Sequence, residues 1–160
     1  PLIVKIEKPG QAVKLYLKTS IMVCNKICVP QDVTISLDIP VGADEQSRNR
    51  ALIERMRDKV PHKGDLPDLK IDSAVLGPDA LVVRAWSQQG FEGADMFVES
   101  GDFYLTAAPE ITPDKDEPRA AFLRIRKPEG VENLAQLLMG RTITLTLTGG
   151  GRAVEKAFPL

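Results

Sequence analysis

Histidine, cysteine and the larger aromatic residues are scarce in this chain of 160 residues, which has one His, two Cys, one Trp and two Tyr. The histidine is His62, and the cysteines are Cys24 and Cys28. These side chains nearly exhaust the groups that act as nucleophiles, acid–base catalysts or soft metal ligands near neutral pH. The sequence also lacks a Gly-x-Ser-x-Gly elbow, a His-Glu-x-x-His motif and a Gly-rich phosphate loop. Nothing indicates a hydrolase, and the two cysteines are the place to look for chemistry.

An excess of charge of one sign is missing as well, because 21 Lys and Arg residues are balanced by 22 Asp and Glu, for a net charge of -1. This balance excludes a bulk attraction to nucleic acid or to an anionic membrane. The sequence has no run of 18 apolar residues, the length that predicts a membrane-spanning helix. With 43% hydrophobic and 27% charged residues, the composition is typical of a globular domain.

Most of the hydrophobic pattern has period two, which is typical of half-buried strands. In residues 1–40, the alternation predicts a three-stranded antiparallel unit with strands at 2–6, 13–17 and 33–39. The spacing changes to helical over 44–60, where Pro61 ends the run, and again over 131–138, before Gly140. Period two resumes elsewhere and predicts strands near 69–76, 81–86, 95–99, 103–107, 121–126, 142–148 and 153–160.

This succession of short strands and turn signals predicts an all-β fold, an immunoglobulin-like antiparallel β-sandwich with one or two helices. We expect residues 1–40 to be a set of closing strands that carries the cysteine pair. Residues 41–160 would form a second sandwich portion with an inserted helix near 44–60, unless the two segments make one continuous domain. The interval 61–67, which contains His62, is predicted to be a loop.

Cys24 and Cys28 enclose three residues in the segment between the second and third predicted strands, at the tip of a hairpin. A straight strand would hold their Cα atoms about 13 Å apart, whereas a disulfide needs Cα atoms within about 7 Å. The segment must therefore turn if a bond is to form, and Asn25 and Lys26 are compatible with a turn. Because so short a ring contributes only about 2 kcal/mol in the chain-entropy model, stabilisation alone is a poor reason for the bond.

Three interpretations of the pair are open from the residues alone. A short, exposed ring exchanges readily, which favours redox work; Lys26 is then either a group that stabilises a thiolate or a solvated turn residue. Alternatively, Met22, Cys24 and Cys28 form a soft ligand set suited to Cu(I), with His62 as a distant fourth candidate. The third interpretation is a passive sandwich domain for interactions, with a structural disulfide or two buried thiols.

Four segments near the start of the chain carry a resemblance to a known family. They are Pro1-Leu2-Ile3-Val4-Lys5-Ile6, Val13-Lys14-Leu15-Tyr16-Leu17, Val23-Cys24 to Cys28-Val29-Pro30, and Val33-Thr34-Ile35-Ser36-Leu37. In this order they resemble the closing strands of the N-terminal periplasmic domain of the DsbD-type thiol:disulfide interchange proteins. The stretch Ala94-Asp95-Met96-Phe97-Val98-Glu99 looks like the longer periplasmic region of that family's suppressor-of-copper-sensitivity B branch.

The resemblance implies a periplasmic protein-disulfide reductase module that uses no cofactor other than a redox-active Cys24–Cys28 disulfide. It implies that Cys28 forms the mixed disulfide with partners and that Cys24 resolves it. Electrons would come from the membrane-embedded hub of a longer protein through a thioredoxin-like domain, and would pass to periplasmic thioredoxin-fold proteins, with no role for nucleic acid. The best-known branch has five residues between its cysteines and shields them with a cap loop. Here either a cap lies in an upstream segment or the domain has none, and Phe91, Phe97 and Phe103 are the candidates for shielding the pair from elsewhere in the chain.

Overall fold

The computed structural model describes residues 3–5, 7–8, 10–24, 27–42 and 48–160, apart from the side chain of Cys24. The chain divides into two compact units, Pro1–Ile53 and Glu54–Leu160. A first helix, α1 (Arg50–Arg57), covers the boundary between them in sequence. In the described part of the chain, no helix is long and apolar enough to cross a membrane.

The first unit contains a hairpin of two long antiparallel strands, β1 (Val13–Cys24) and β2 (Cys28–Ile39). Twelve residue pairs face each other without a register shift, from Val13 opposite Ile39 to Cys24 opposite Cys28. One face of the hairpin, the polar face, carries ionic and hydrogen-bonding side chains, whereas the other face carries mainly aliphatic ones. This division follows from the period-two pattern, because successive side chains of a strand point to opposite sides.

The second unit is built from strands with one more helix between them. Its strands are short, and each is preceded or followed by a turn. In chain order its elements are β3 (His62–Lys63), β4 (Leu69–Leu76), β5 (Ala80–Ser87), β6 (Asp95–Ser100), β7 (Phe103–Leu105), β8 (Glu110–Pro113), β9 (Ala120–Arg126), α2 (Leu134–Leu138), β10 (Thr142–Gly149) and β11 (Arg152–Pro159).

These strands form two sheets, with the orders β4-β5-β9-β8 and β3-β11-β10-β6-β7. With β4 to β11 lettered A, B, C, C′, D, E, F and G, the first sheet is A-B-E-D and the second contains G-F-C-C′. This is the strand order of the immunoglobulin fold. All pairings are antiparallel except that of β3, which runs parallel to β11. The predicted fold class, an all-β antiparallel sandwich with two helices, is confirmed.

The core of the second unit lies between the two sheets. It is formed by the side chains of both sheets that point inward. In β10, for example, Ile143, Leu145 and Leu147 are fully buried, while the threonines between them face outward. Leu134 and Leu138 of α2 close the core from the side. Folding therefore buries apolar side chains of both sheets against each other. This burial is the main contribution to the stability of a sandwich.

Several sequence-based predictions in the first 67 residues differ from the structure, and β1 and β2 are both longer than predicted. Residues 3–5 are not in a strand, so within its described part the first unit has two strands and not three. The alternation of apolar and polar residues indicates two faces, but a strand also needs a neighbouring strand to pair its backbone N–H and C=O groups, and the local pattern does not supply one. The helix expected over 44–60 spans Arg50–Arg57; residues 43–47 lie outside the description, and 58–60 form turns before Pro61. The expected loop 61–67 contains the two-residue strand β3.

Candidate functional site at the tip of the β1–β2 hairpin

The tip of the β1–β2 hairpin brings together the positions of the two cysteines. Cys24 is the last residue of β1, Cys28 is the first of β2, and the two are directly opposite in the antiparallel register. Opposed residues in such a ladder have Cα atoms about 4.5–5.5 Å apart, within the range that a disulfide spans. The two antiparallel strands therefore bring the cysteine positions within reach of a disulfide.

Cys28 is disulfide-bonded and exposed. The sequence contains one other cysteine, Cys24, whose side chain lies outside the description. Residues 25 and 26 also lie outside it, so the predictions made for Asn25 as a turn residue and for Lys26 as a neighbour of a thiolate concern residues that the structure does not describe. What the described part shows is an oxidised, solvent-accessible Cys28 at the end of a two-stranded ladder.

Apolar side chains surround this tip and are exposed to solvent. Ile27, between the cysteines, is 75% exposed, and Met22 is 62% exposed. Val23 and Val29 face each other on the rung next to the cysteines, on the opposite side of the hairpin, and are also exposed. Among the described residues, Met22 and Ile27 thus form an apolar rim next to Cys28.

On the face of the hairpin that carries Cys28, the nearest described ionic group is Asp32, which is four rungs from the cysteine rung. Its carboxylate accepts a hydrogen bond of 2.6 Å from Ser20 Oγ on the facing strand. Further along the same face, Lys14 Nζ lies 3.3 Å from Asp38 Oδ1. Both contacts are exposed and contribute little to stability, but they mark the polar face, to which Cys28 belongs by alternation.

The residues considered as copper ligands fall into both units of the chain. Met22 is opposite Pro30, and alternation places it on the same face as Cys28. His62 belongs to β3 in the second unit, where its Nδ1 lies 3.3 Å from the Gly64 carbonyl oxygen. In the described part of the chain, no group of three or more His, Cys, Asp or Glu residues is arranged to hold a metal ion.

The three phenylalanines considered as shields for the cysteines all belong to the second unit. Phe91 and Phe103 are partly buried and pack against its core, which is the usual place of aromatic residues in a sandwich. Phe97 is different, because it lies half-exposed on β6 beside Tyr104. With Asp95 and Glu99, these two rings line a shallow groove of about 380 Å³ along the β6–β7 edge. This groove is not predicted by the sequence pattern, although Phe97 and Tyr104 occupy outward positions next to buried ones.

The ionisable groups with shifted pKa values lie in the second unit and serve its structure. Burial alone would raise the pKa of Asp65, but hydrogen bonds from Lys156 Nζ and the Ile71 amide lower it. The hydrogen bond from Arg126 lowers the pKa of Glu110. Both acids are paired with cations from another strand or loop, so neither is arranged as a general acid or base.

An immunoglobulin-like sandwich and a disulfide-bonded hairpin are thus the two parts that the structure defines. A family model described as "Domain of unknown function (DUF8393)" matches residues 59–160, and the chain belongs to this family. The matched segment is the sandwich and does not include Cys24 or Cys28. No curated protein matches the chain. The resemblance of the first 40 residues to the DsbD-type proteins remains a prediction.

Proposed function

We propose that this chain is a periplasmic thiol–disulfide exchange module, in which Cys24 and Cys28 form a redox-active disulfide. The single observation that carries the proposal is the position of Cys28, which is disulfide-bonded, exposed and directly opposite Cys24 on the terminal rung of a hairpin. The resemblance of the same segment to the DsbD-type domains supports it independently.

The disulfide closes too short a ring to stabilise the fold effectively. A ring closed by cysteines four positions apart removes little chain entropy from the unfolded state, about 2 kcal/mol. Twelve paired rungs already hold the two strands together at this point. An exposed disulfide in a short ring is also accessible to an attacking thiolate, and such bonds are the ones that exchange. Reactivity explains the pair better than stability does.

The exchange proceeds in two balanced steps. In the reduced module, the Cys28 thiolate attacks a partner's disulfide; a bond forms between Cys28 Sγ and one partner sulfur, and the other partner sulfur leaves as a thiolate. The Cys24 thiolate then attacks Cys28 Sγ, which reforms the module's disulfide and releases the partner's second thiolate. Two electrons pass to the partner. The dithiol of a thioredoxin-like domain, itself supplied from a membrane-embedded hub, returns two electrons to the module.

The apolar rim next to Cys28 supports a protein substrate. Met22, on the same face as Cys28, and Ile27, its neighbour in the chain, present exposed thioether and aliphatic surface next to Cys28. Docking this surface into an apolar groove beside the partner's disulfide would hold the two sulfurs in line for exchange, since apolar contact is favourable and non-directional. Thioredoxin-fold proteins of the periplasm are the proposed partners.

Trapping tests the proposal. In a Cys24→Ala variant, Cys28 keeps its thiol but cannot be released by an intramolecular attack, so incubation with oxidised thioredoxin-fold proteins should accumulate a mixed disulfide visible on a non-reducing gel. The matched Cys28→Ala variant should accumulate much less. If neither variant forms an adduct with any thioredoxin-fold candidate, or if the wild-type disulfide withstands millimolar glutathione, the disulfide is a passive structural one and the proposal is wrong.

A second candidate, a Cu(I) site in the reduced protein, is favoured by one observation: alternation places Met22 on the same face as Cys28. Met22, Cys24 and Cys28 would supply a thioether and two thiolates, which are soft ligands that suit Cu(I). Titration of the reduced protein with Cu(I) against a competing chelator measures the affinity. A copper site requires that Met22→Leu weaken binding and that Cys28→Ser abolish it, whereas equal affinity in all variants excludes it.

A further inference from the structure

The second face of the β1–β2 hairpin is an uncovered aliphatic surface. Alternation gathers on it ten aliphatic side chains and two uncharged polar ones, Thr19 and Gln31. We call this surface the apolar hairpin face; its aliphatic members are Val13, Leu15, Leu17, Ile21 and Val23 of β1 and Val29, Val33, Ile35, Leu37 and Ile39 of β2.

Seven of these ten side chains are 39–57% exposed, and the other three are half-buried. A strand pair with polar residues on one side and aliphatic residues on the other is patterned for one face in water and one face in a core. A lone two-stranded hairpin is also marginally stable, and it gains stability when its apolar face is covered. The exposed aliphatic residues therefore mark an interaction surface and not an ordinary surface scatter.

We infer that the apolar hairpin face is a self-association surface, and that its occupant is the same face of a second copy of this chain. The first argument is area. At about 60 Å² for each of the ten aliphatic side chains, a face-to-face pair removes about 1,200 Å² from water over both copies. This is about the smallest area at which a specific interface forms, and it corresponds to a reversible dimer and not an obligate one.

The second argument is charge. The face carries no ionisable side chain among the twelve positions that compose it, so bringing two copies together opposes no like charges and buries no unpaired one. Lys14, Lys18, Asp32 and Asp38 all lie on the polar face and stay in water. A surface that is neutral throughout is compatible with itself, which an isologous two-fold interface requires.

In the dimer, two hairpins stack as the two layers of a small sandwich, about 10 Å apart. The polar faces point outward on both sides. Cys28 belongs to the polar face by alternation, so dimerisation leaves it accessible. The inference therefore does not rest on thiol exchange, and either one can fail without the other.

Sedimentation velocity of the oxidised chain over about 1–300 μM tests the dimer. We expect the mass to rise from 17.5 kDa towards twice that value. The decisive pair of variants changes adjacent residues on opposite faces: Ile35→Lys should raise the dissociation constant at least tenfold, because it places a charge in the interface, whereas Ser36→Lys on the polar face should change it less than twofold.

Hydrogen exchange of the unaltered protein covers the case in which Ile35→Lys disrupts the hairpin itself. Amides of β1 and β2 should exchange more slowly at the high concentration than at the low one, while those of β9 and β10 should not change. A chain that remains monomeric at 300 μM, or that forms assemblies without a limiting size, overturns the inference. So does an equal weakening by Ile35→Lys and Ser36→Lys.

Discussion

Arg84 Nε donates a hydrogen bond of 2.9 Å to Asp114 Oδ2, and this contact ties the second strand of the four-stranded sheet to the residue that follows its edge strand. Arg84 Nη1 also contacts Asp72 on the other side, at the irregularity in β4. One guanidinium therefore links both edges of the sheet across its outer surface. The amide of Asp116, and after it the side chain of Arg84, lowers the pKa of Asp114.

A pH dependence of stability follows from Asp114. Because its pKa is lower in the folded state than in the unfolded chain, where it is about 3.9, the stability that it contributes is present above pH 4 and is lost as the pH falls through the lower, folded value. We expect the free energy of unfolding, measured in urea at pH 7 and pH 2.5, to fall less in Asp114→Asn than in the wild type. Asp102→Asn, in the turn between β6 and β7, should keep the wild-type fall, and an identical fall in Asp114→Asn would contradict the prediction.

A second prediction concerns the sandwich core. Leu145 is fully buried on β10, so Leu145→Ala removes buried methyl groups and leaves a cavity, at a cost of about 2–5 kcal/mol in the free energy of unfolding. Val75, on the edge strand β4, is exposed, and Val75→Ala should change it by less than about 0.5 kcal/mol. Urea titration of both variants measures the contrast, and a Leu145→Ala cost below about 1 kcal/mol would show that the site is not packed as described.

A third prediction concerns the start of α2. Asn133 Oδ1 accepts a hydrogen bond of 3.0 Å from the Gln136 amide, which would otherwise have no partner within the helix. Asn133→Ala should lower the free energy of unfolding by about 1 kcal/mol. Asn133→Asp keeps an acceptor at the same place and should retain most of the stability. Equal losses in the two variants would mean that the cap does not act through this hydrogen bond.

The turn between β10 and β11 supplies a fourth prediction. Gly151 has φ of +74°, a conformation that an L-residue adopts with strain, although a Cβ there would meet nothing within 4 Å. Gly151→Ala should therefore cost about 1 kcal/mol through the backbone alone. Gly149→Ala is the matched control, because its Cβ would make only an ordinary 3.5 Å contact with Ala94. Thermal unfolding of both should give a lower midpoint for Gly151→Ala only; equal midpoints would contradict the assignment.

Strand patterns predicted the sandwich well because its core strands obey a strict alternation. In β10, the Thr-Ile-Thr-Leu-Thr-Leu-Thr repeat contains both the strand and its buried face. The strand β3 escaped prediction because its two residues show no period, and β8 escaped it because its short run ends at Pro113. Their strand character comes from neighbours, β11 and β9, that the local sequence does not reveal.

The candidate site was predicted in position but not in extent. The spacing of Cys24 and Cys28 predicted that a disulfide would need the chain to reverse between two strands, and in the structure the two cysteines are opposite each other on antiparallel strands. The sequence pattern ended the second predicted strand at residue 17, because Lys18, Thr19 and Ser20 interrupt the apolar run. In the structure β1 continues to Cys24, since Ser20 finds its hydrogen-bond partner in Asp32 on the facing strand. Such a partner is twelve residues away and is visible only once the register is known.

The parallel pairing of β3 with β11 has a mechanical consequence. His62 lies beside Val154, near the Gly150 turn, whereas Leu160 lies at the other end of the sheet, where its amide donates to the Arg141 carbonyl. His62 and Leu160 thus lie at opposite ends of the sandwich, which we call its poles, about 20 Å apart along β11. Tension applied between these poles would load the β3–β11 hydrogen bonds in shear, all at once, and not peel them apart one by one.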